Sequence, residues 1–227
     1  MTLAQIDWAP VLLTLELASV TTVFLLLLGT PLAWWLTRTG SRWKPAVESL
    51  VALPLVLPPT VLGFYLLIVL GPQGLIGGPW RELTGSALTF SFSGLVVASV
   101  LYSLPFVVQP LHSAFAGVDY KFLEAAQCMR ATRSDAFFSV VLPLAVRGYV
   151  TGAVLGFAHT LGEFGVVLMV GGNIPGKTQV LSISIYDHVE SLEYATAHVL
   201  SAGLMIFSFL VLLVVYTLNR RYPLHML

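Results

Sequence analysis

Five long runs of apolar residues set the limits on what this chain can fold into. A helix needs roughly 20 mostly apolar residues to cross the hydrocarbon core of a bilayer. The qualifying runs cover about residues 11–37, 47–70, 94–116, 148–170 and 196–218. Because a spanning segment must satisfy its backbone hydrogen bonds internally, the runs predict an all-α integral membrane protein of about five spanning helices. We assign residues 11–218 to one transmembrane domain.

The composition agrees with this assignment. Of the 227 residues, 57% are hydrophobic and only 10% are charged, a balance that soluble domains do not show. The first run is too long for a signal peptide, and neither a preceding basic residue nor a small-residue cleavage site accompanies it, so we expect it to remain as a span. The formal net charge is zero, which gives no indication of nucleic-acid binding.

The basic residues predict the orientation. Short loops rich in Lys and Arg stay on the cytoplasmic side. With the N-terminus outside, nine of the 11 Lys and Arg residues lie inside, and only Arg81 and Lys177 lie outside. We therefore expect a multi-pass protein of the cytoplasmic (inner) membrane, surrounded by lipid, with a cytoplasmic C-terminus. The single Cys128 falls in an inner loop, where a reduced thiol is expected.

Residues 171–178 read GGNIPGKT and match the nucleotide-binding pattern G-x-x-x-x-G-K-[ST]. A phosphate-binding loop also requires a preceding strand and consecutive N–H groups aimed at the anion. Here an apolar run precedes the segment, and Pro175 removes one N–H. We interpret it as an outer turn containing Asn173, Pro175 and Gly176, followed by a partly amphipathic surface segment. If ATP drives this protein, another chain binds the ATP and its Mg²⁺, so we expect no cofactor on this chain.

The inner loop at residues 117–143 is predicted to form two short helices joined by a turn. Asp119 is placed to cap the first helix, and Thr132 with Asp135 three residues later is a start signal for the second. Ala125 and Ala126 present small side chains over which another backbone can approach closely. The pattern alone leaves two interpretations open, a docking surface for a soluble partner and an interfacial helix lying on lipid.

Residues 124–144, EAAQCMRATRSDAFFSVVLPL, resemble the EAA loop of ABC importer permeases. Arg130 departs from the family pattern because it stands where Gly is usual, and a residue with a Cβ resists positive φ. The resemblance implies that the loop inserts into a cleft of a separate cytoplasmic ATPase subunit. The pattern is matched at Glu124, Ala125, Ala126, Val140, Leu142 and Pro143. We assign ATPase coupling to Glu124, Ala125, Ala126, Arg130, Thr132, Leu142 and Pro143.

Residues 161–178, LGEFGVVLMVGGNIPGKT, resemble a segment shared by molybdate, tungstate and sulfate permeases. Its G-E-F-G followed by N-I-P-G is most similar to the molybdate branch. The resemblance implies a type I ABC importer transmembrane domain over 11–218 that translocates molybdate, with tungstate or sulfate as alternatives. It also implies an extracytoplasmic molybdate-binding protein as a partner. One chain of about five spans is too small to enclose a pathway, so a homodimer is expected.

Prolines in the second and third apolar runs predict broken helices. Pro54, Pro58 and Pro59 lie in the second run, and Pro105 and Pro110 lie in the third. Such breaks persist at membrane depth where neighbouring helices or a wet cavity satisfy the freed groups. These helices therefore either line the pathway or are kinked packing helices.

The apolar runs carry no Lys or Arg before their cytoplasmic ends. A tight site for a dianion would require such cations, whereas the runs offer neutral donors such as Ser103. This favours a low-affinity passage, with selectivity located on the binding protein.

Two ionisable residues lie within the fourth run. His159 and Glu163 are four residues apart, so a continuous helix would place them on one face within hydrogen-bonding reach. We predict that Glu163 accepts hydrogen bonds from a helix break at Gly162 or Gly165 near the outer gate. A metal site is not expected, because two ligands without a third do not make one. The pathway and gate candidates are Glu163, His159, Gly162, Gly165, Pro58, Pro59 and Ser103.

Two other classes of function are alternatives to the importer. A secondary anion transporter would couple Glu163 or His159 to protons, and an inverted repeat would be expected in its sequence, but none is evident. An intramembrane hydrolase would pair a nucleophile with His159, but neither a G-x-S-x-G nor an H-E-x-x-H motif is present.

The interpretation of residues 171–178 as a turn predicts that the purified chain binds no ATP. Photo-crosslinking with an azido-ATP analogue should leave this segment unlabelled, because Pro175 and the outer location are incompatible with a phosphate cradle. The control is Lys177→Ala, which removes the side chain that a phosphate loop would use. Labelling of the segment that disappears in Lys177→Ala would contradict the interpretation.

Overall fold

Helices are the only regular elements in residues 7–221, the part of the chain that the computed structural model describes. Residues Phe137–Val141 form a π-helix, and Leu53–Leu55 form a 3₁₀ turn. The helices are α1 (Ala9–Arg38), α2 (Lys44–Ala52), α3 (Pro59–Leu70), α4 (Gly77–Thr84), α5 (Phe92–Ala116), α6 (Tyr120–Cys128), α7 (Arg133–Ala136), α8 (Leu142–Leu144), α9 (Val146–Leu161), α10 (Gly165–Gly171), α11 (Leu181–Glu190) and α12 (Tyr194–Arg221).

Three of these helices, α1, α5 and α12, are individually long and apolar enough to cross a membrane. Two further spans arise if each of two bent pairs counts as one, residues 44–55 with 59–70 and residues 133–144 with 146–161. The pairs are bent by 112° and 71°. The prediction of about five spans agrees with the upper count in number, but the second pair includes residues 133–144 of the predicted inner loop and ends at residue 161 instead of 170. The first, third and fifth apolar runs are continuous helices.

The second apolar run is not one helix. Helix α2 ends at Ala52, and α3 begins only at Pro59. Pro58 is extended, with φ −55° and ψ 136°, because the following proline disfavours helical geometry in the residue before it. The Pro58 carbonyl accepts the N–H groups of Val61 and Leu62 and so begins the new helix. The predicted break at Pro58 and Pro59 is confirmed.

Helix α5 differs from the expectation for the third run. Pro105 and Pro110 both lie inside it, yet the helix is continuous from Phe92 to Ala116. It is also the most enclosed span, with 61% of its apolar window buried against 11% for α12. Packing on several sides holds the helix together across the missing N–H groups, so the predicted break in this span is wrong.

The fourth apolar run is interrupted as well. Helix α9 ends at Leu161, and α10 starts at Gly165 after three residues that are not helical. The turn begins at Gly162, whose N–H bonds the carbonyls of Ala158 and His159. The prediction of a single helix over 148–170 is therefore wrong, whereas the predicted break at Gly162 is confirmed.

Helices α1, α5 and α9 form the packed centre, and glycines on α9 let it approach α5 closely. Gly148, Gly152 and Gly156 are buried one turn apart on one face of α9. A Cβ on Gly148 would lie 2.3 Å from the Ala114 Cβ and 3.0 Å from the Pro110 carbonyl oxygen. The contact between these helices therefore depends on the absence of side chains on this face.

Replacing Gly148 by Ala should lower the thermal stability of the purified protein. The new methyl group would meet α5 atoms that cannot withdraw without moving the helix, which costs about 1–3 kcal/mol. The matched control is Gly203→Ala in α12, where a Cβ meets no atom within 4 Å and better helix propensity predicts no loss. Thermal unfolding in detergent compares the two variants. Equal midpoints for the native chain and Gly148→Ala would contradict the close-packing account.

Candidate functional site

The inner loop contains the two capped helices that its sequence predicts. The Asp119 carboxylate accepts the Lys121 N–H at 3.0 Å at the start of α6. At the start of α7 the Thr132 hydroxyl accepts the Asp135 N–H at 3.2 Å, and the Asp135 carboxylate accepts the Thr132 N–H at 3.1 Å. Hydrogen bonds from the Thr132 side chain and backbone lower the pKa of Asp135. Both predicted caps are confirmed.

The turn between α6 and α7 places Arg130 in the left-handed region, with φ +61°. The Arg130 N–H bonds the Gln127 carbonyl, and the Ala131 N–H bonds the Ala126 carbonyl, which closes the end of α6. The chain therefore makes a turn that favours glycine while carrying a side chain there, at a cost of about 1–2 kcal/mol. Arg130 therefore adopts positive φ in spite of its Cβ.

Around this turn the loop presents a surface of exposed side chains. Leu123 is buried and attaches α6 to the core. Tyr120, Phe122 and Met129 are more than half exposed, an unusual number of large apolar groups on one short segment. Five of the seven predicted coupling residues are exposed, namely Glu124, Ala125, Arg130, Thr132 and Pro143. The other two, Ala126 and Leu142, are half-buried.

A cluster of aromatic rings joins this loop to the spans. The Trp34 ring of α1 lies edge-on to Phe115 of α5 at 5.4 Å and to Phe137 of the π-helix at 5.3 Å between centroids. Phe115 also contacts Tyr149 of α9 at 6.0 Å. Sequence reasoning missed this cluster because its members come from four separate segments. The five-residue π-helix inside a loop element is itself a feature that often marks functional sites.

Arg38 extends the aromatic cluster to α6. Its guanidinium lies 4.6 Å from the centre of the Trp34 ring and 5.6 Å from the centre of the Tyr120 ring. Contacts of this kind with a partly solvated cation contribute on the order of 0.5–1 kcal/mol each. The end of α1 is thereby held to the first residue of α6.

A cavity of about 520 Å³ lies where the two interrupted runs meet. Helices α3, α5, α9 and α10 and the α9–α10 break all contribute to its wall. Five of the seven predicted pathway residues line this cavity. Of the other two, Pro58 precedes the lining residue Pro59, and Ser103 contacts the lining residue His159. The lining candidates are Pro59, His159, Gly162, Glu163 and Gly165, accompanied by Thr60 and Tyr102.

His159 is held by neighbours on α5. Its Nδ1 lies 2.8 Å from the Ser103 hydroxyl, and its ring stacks on Phe106 with 3.9 Å between centroids. The Ser103 hydroxyl is also 3.2 Å from the Thr160 hydroxyl, which donates to the Gly156 carbonyl at 2.9 Å. If every contact is a hydrogen bond, Ser103 donates to Thr160 and accepts from Nδ1–H, which leaves Nε2 of a neutral ring as an acceptor.

Glu163 differs from its predicted role. Only 4% of the residue is exposed, and neither carboxylate oxygen has a hydrogen-bond partner. The expected hydrogen bond with His159 is absent because α9 ends between them, and Gly162 bonds helix carbonyls instead. The prediction that the Glu163 carboxylate accepts hydrogen bonds from the helix break is therefore wrong. The Glu163 backbone carbonyl does accept the Ser182 hydroxyl at 2.6 Å.

Ser99 is the polar neighbour of this carboxyl. Its hydroxyl interacts electrostatically with Glu163, but neither side chain has a satisfied hydrogen-bond partner. Two adjacent buried polar groups are therefore left unsatisfied. Such groups are rare in folded proteins and require an explanation.

The outer loop at residues 171–178 is a closed turn. The N–H groups of Lys177, Thr178 and Gln179 all point to the Ile174 carbonyl, at 3.0–3.1 Å. The three donors that a phosphate cradle would need therefore serve the loop itself, and α10 rather than a strand precedes it. The predicted turn is confirmed, and the amphipathic segment that follows is α11.

Side chains fix this turn to α11. The Asn173 amide donates to both oxygens of Asp187 at 2.7 and 2.6 Å, and the Gln179 amide donates to Asp187 at 2.8 Å. Gly176 takes φ +71° in the turn. Of the predicted outer-loop residues, Asn173 therefore has a defined contact, and Pro175 and Gly176 shape the exposed turn.

Comparison with known proteins gives a consistent assignment. Residues 26–222 match the family described as the binding-protein-dependent transport system inner membrane component. The chain is 60% identical over 220 residues to the molybdenum transport system permease protein ModB of Azotobacter vinelandii, covering 97% of both chains. It is 38% identical over 191 residues to ModB of Escherichia coli K12, covering 84% of this chain and 83% of that one.

A solved structure shows the same fold at low sequence identity. A bacterial ABC transporter that imports the acidic polysaccharide alginate contains a chain that superimposes with a TM-score of 0.77 at 18% identity. The match covers 97% of this chain and 82% of that chain. With the exposed inner loop and the interrupted spans, these comparisons establish that the chain belongs to the family of binding-protein-dependent transport system inner membrane components and has the all-α fold of an ABC importer permease.

Proposed function

We propose that the chain is the permease subunit of an importer that carries molybdate across the cytoplasmic membrane. The observation that carries this proposal is the 60% identity to a molybdenum transport permease along 97% of both chains. Because 220 of the 227 residues are matched, the match includes the cavity and the outer loop, where substrate-dependent differences would be concentrated. ATP is hydrolysed on a separate ATPase, and this chain supplies the passage.

The geometry supports a division of roles along the membrane normal. The inner loop, with exposed Glu124, Ala125 and Arg130, docks on the cytoplasmic ATPase. The N-terminus and the turn at residues 171–178 lie outside, where an extracytoplasmic molybdate-binding protein delivers the anion. Two copies of the chain enclose the pathway as a homodimer. This orientation agrees with the distribution of Lys and Arg.

The aromatic cluster is the route by which loop movement reaches the spans. Trp34, Phe115 and Phe137 belong to three different segments. The Trp34 ring lies edge-on to the other two rings, which are tilted against each other. When the ATPase dimer closes on ATP, it displaces the loops, and rings in direct contact transmit the displacement to α1 and α5. Movement of packed helices as rigid elements is a common basis of alternating access.

The cavity chemistry supports a passage without tight binding. Molybdate crosses as a tetrahedral dianion, and no Lys or Arg stands among the described residues lining the cavity. The wall instead presents hydroxyl groups of Thr60 and Tyr102. Neutral donors bind a dianion weakly and release it readily, so selection among oxyanions takes place on the binding protein.

Reconstitution in proteoliposomes tests the function directly. The chain, its ATPase and the binding protein should together take up radiolabelled molybdate only when ATP is enclosed with the ATPase. An uncoupler should leave uptake unchanged, since no proton gradient drives it. Loss of uptake with the uncoupler while ATP persists would instead support a proton-coupled secondary transporter. Uptake of sulfate in preference to molybdate, with the cognate binding protein, would reassign the substrate.

Arg130 provides a test of ATPase docking. Arg130→Gly should keep the fold, because glycine accepts φ +61° without strain, but should weaken ATPase binding by about 1–3 kcal/mol through loss of a charged hydrogen bond. Arg130→Lys should recover only part of the affinity, because an ammonium cannot form the paired contacts of a guanidinium. Affinity of the permease for the ATPase in nanodiscs is the measurement.

The control for this series is Arg42→Lys, which changes an exposed arginine in a different inner segment. It should leave ATPase affinity unchanged. If Arg130→Gly binds the ATPase as tightly as the native chain, Arg130 has no docking role. Its positive φ is then backbone strain that the fold tolerates without a functional gain.

A further inference from the structure

Another cavity, of about 310 Å³, lies between the inner part of α1 and the inner loop. Helix α1 contributes Thr30, Pro31 and Trp34 to its wall, and the loop contributes Arg133 and Ser134 together with two phenylalanine rings. None of the described residues that line this cavity is acidic, and none of them lines the cavity between the two helix breaks. We call it the inner pocket. It combines a positive charge, hydroxyl groups and aromatic rings.

The Arg133 guanidinium is available to a ligand. The residue is exposed, and none of the ion pairs among the described residues includes it. The neighbouring Asp135 carboxylate accepts the Thr132 N–H instead. A guanidinium presents several N–H groups in one plane, and two of them fit the oxygens of a phosphate group. The adjacent Ser134 hydroxyl can donate one further hydrogen bond. These two side chains therefore form a site for a phosphate group.

A second guanidinium lies beside the same wall. The Arg38 guanidinium is 4.6 Å from the centre of the Trp34 ring, and Trp34 lines the inner pocket. Two positive charges are therefore near the pocket, and its described wall has no carboxylate. This arrangement favours a ligand with a net negative charge over a zwitterion, because an ammonium group would find no anionic partner there.

The inner pocket lies at the depth where lipid headgroups are found. Trp34 is four residues before the last residue of α1, which is about 6 Å along a helix axis. Trp35 and Trp43 are exposed near this end of α1, and tryptophan is enriched at the boundary between hydrocarbon and water. In the other direction along α1, Leu27 is 64% exposed one turn from Pro31. An apolar surface therefore continues from the pocket into the span.

We propose that the inner pocket binds an anionic phospholipid of the leaflet that is cytoplasmic in the proposed orientation. The lipid phosphate accepts hydrogen bonds from Arg133 and Ser134, and the acyl chains lie along Phe138 and Leu27, which are both more than half exposed. Basic pockets between spans on the cytoplasmic side are suited to anionic headgroups. The inference goes beyond the proposed function, because it assigns a lipid ligand and does not depend on which anion is transported.

The bound lipid connects α1 to the inner loop. The rings of Trp34 and Phe137 lie edge-on with 5.3 Å between centroids, and both form part of the pocket wall. A phosphate group held by Arg133 therefore fixes the start of α7 beside the contact through which the loop reaches the spans. A ligand that binds the folded chain stabilises it, so an anionic lipid should raise the temperature at which the purified chain unfolds.

Lipid binding to the purified full chain, without its ATPase, tests the proposal. The delipidated chain in detergent is titrated with phosphatidylglycerol, and native mass spectrometry counts the lipid that remains bound. Arg133→Gln should weaken the tightest binding about tenfold, as expected when hydrogen bonds to a charged group are lost. Arg133→Lys should weaken it about threefold, because the charge remains and only the paired geometry is lost. Phosphatidylcholine should bind the native chain more weakly than phosphatidylglycerol does.

The matched control is Arg42→Gln, which removes an exposed arginine that does not line the pocket. It should bind phosphatidylglycerol as the native chain does, and so controls for general attraction between basic residues and anionic lipid. Thermal unfolding in nanodiscs separates ligand binding from a structural role. The native chain should unfold at a higher temperature in phosphatidylglycerol than in phosphatidylcholine. Arg133→Gln should lose this difference and should match the native midpoint in phosphatidylcholine.

Three results would overturn the inference. Equal phosphatidylglycerol affinity in the native chain and Arg133→Gln would show that Arg133 holds no lipid, and a weaker affinity of that variant for the ATPase would then make Arg133 a docking residue. Should Arg133→Gln fail to fold, unchanged affinity in Arg133→Lys is the contradicting result. Equal affinity of the native chain for phosphatidylcholine would show that the anionic headgroup is not recognised. Displacement of phosphatidylglycerol by millimolar inorganic phosphate would assign the site to a free anion. These measurements involve no molybdate uptake, so their failure leaves the proposed function standing.

Discussion

The structure depends on one constraint, that every backbone N–H and C=O at membrane depth must find a partner within the protein. The chain meets it with continuous helices in α1, α5 and α12, and with local turns where two spans are broken. At the first break the Leu53 carbonyl accepts the N–H groups of Val56 and Leu57. At the second, Ser182 donates to the Glu163 carbonyl. The second break forms part of the cavity wall, whereas the first is largely exposed and adjoins the cavity at Pro59.

The two breaks have different physical causes. Prolines end the helix in the second run, while in the fourth the turn follows Gly162 and the helix restarts at Gly165. Pro105 and Pro110 show that proline alone does not decide the outcome, since α5 continues through both. That helix is enclosed by α1, α9 and α10, whereas the α2–α3 segment is much more exposed. Packing therefore decides which proline breaks a span and which is accommodated.

The inner loop and the cavity lie at opposite ends of the same packed helices. Helix α5 carries Phe115 in the aromatic cluster at one end and Ser99, Tyr102 and Ser103 around the cavity toward the other. Helix α9 likewise carries Tyr149 and His159. Because α9 contacts α5 through glycines at close distance, displacement of the loop is transmitted without an intervening flexible layer. This is the structural basis on which we connect ATPase docking to the passage of the anion.

The sequence by itself determined the features that depend on neighbours along the chain. Apolar run length predicted the number of spans, the Asp119 and Thr132 caps predicted the loop helices, and the resemblance to ABC importer permeases predicted the family. Tertiary structure decided what depends on residues far apart in sequence. His159 bonds Ser103 on another helix instead of Glu163, and α9 ends before the two could share a face. Helical spacing predicts contacts only where the helix continues, and whether it continues is set by the packing that satisfies the backbone.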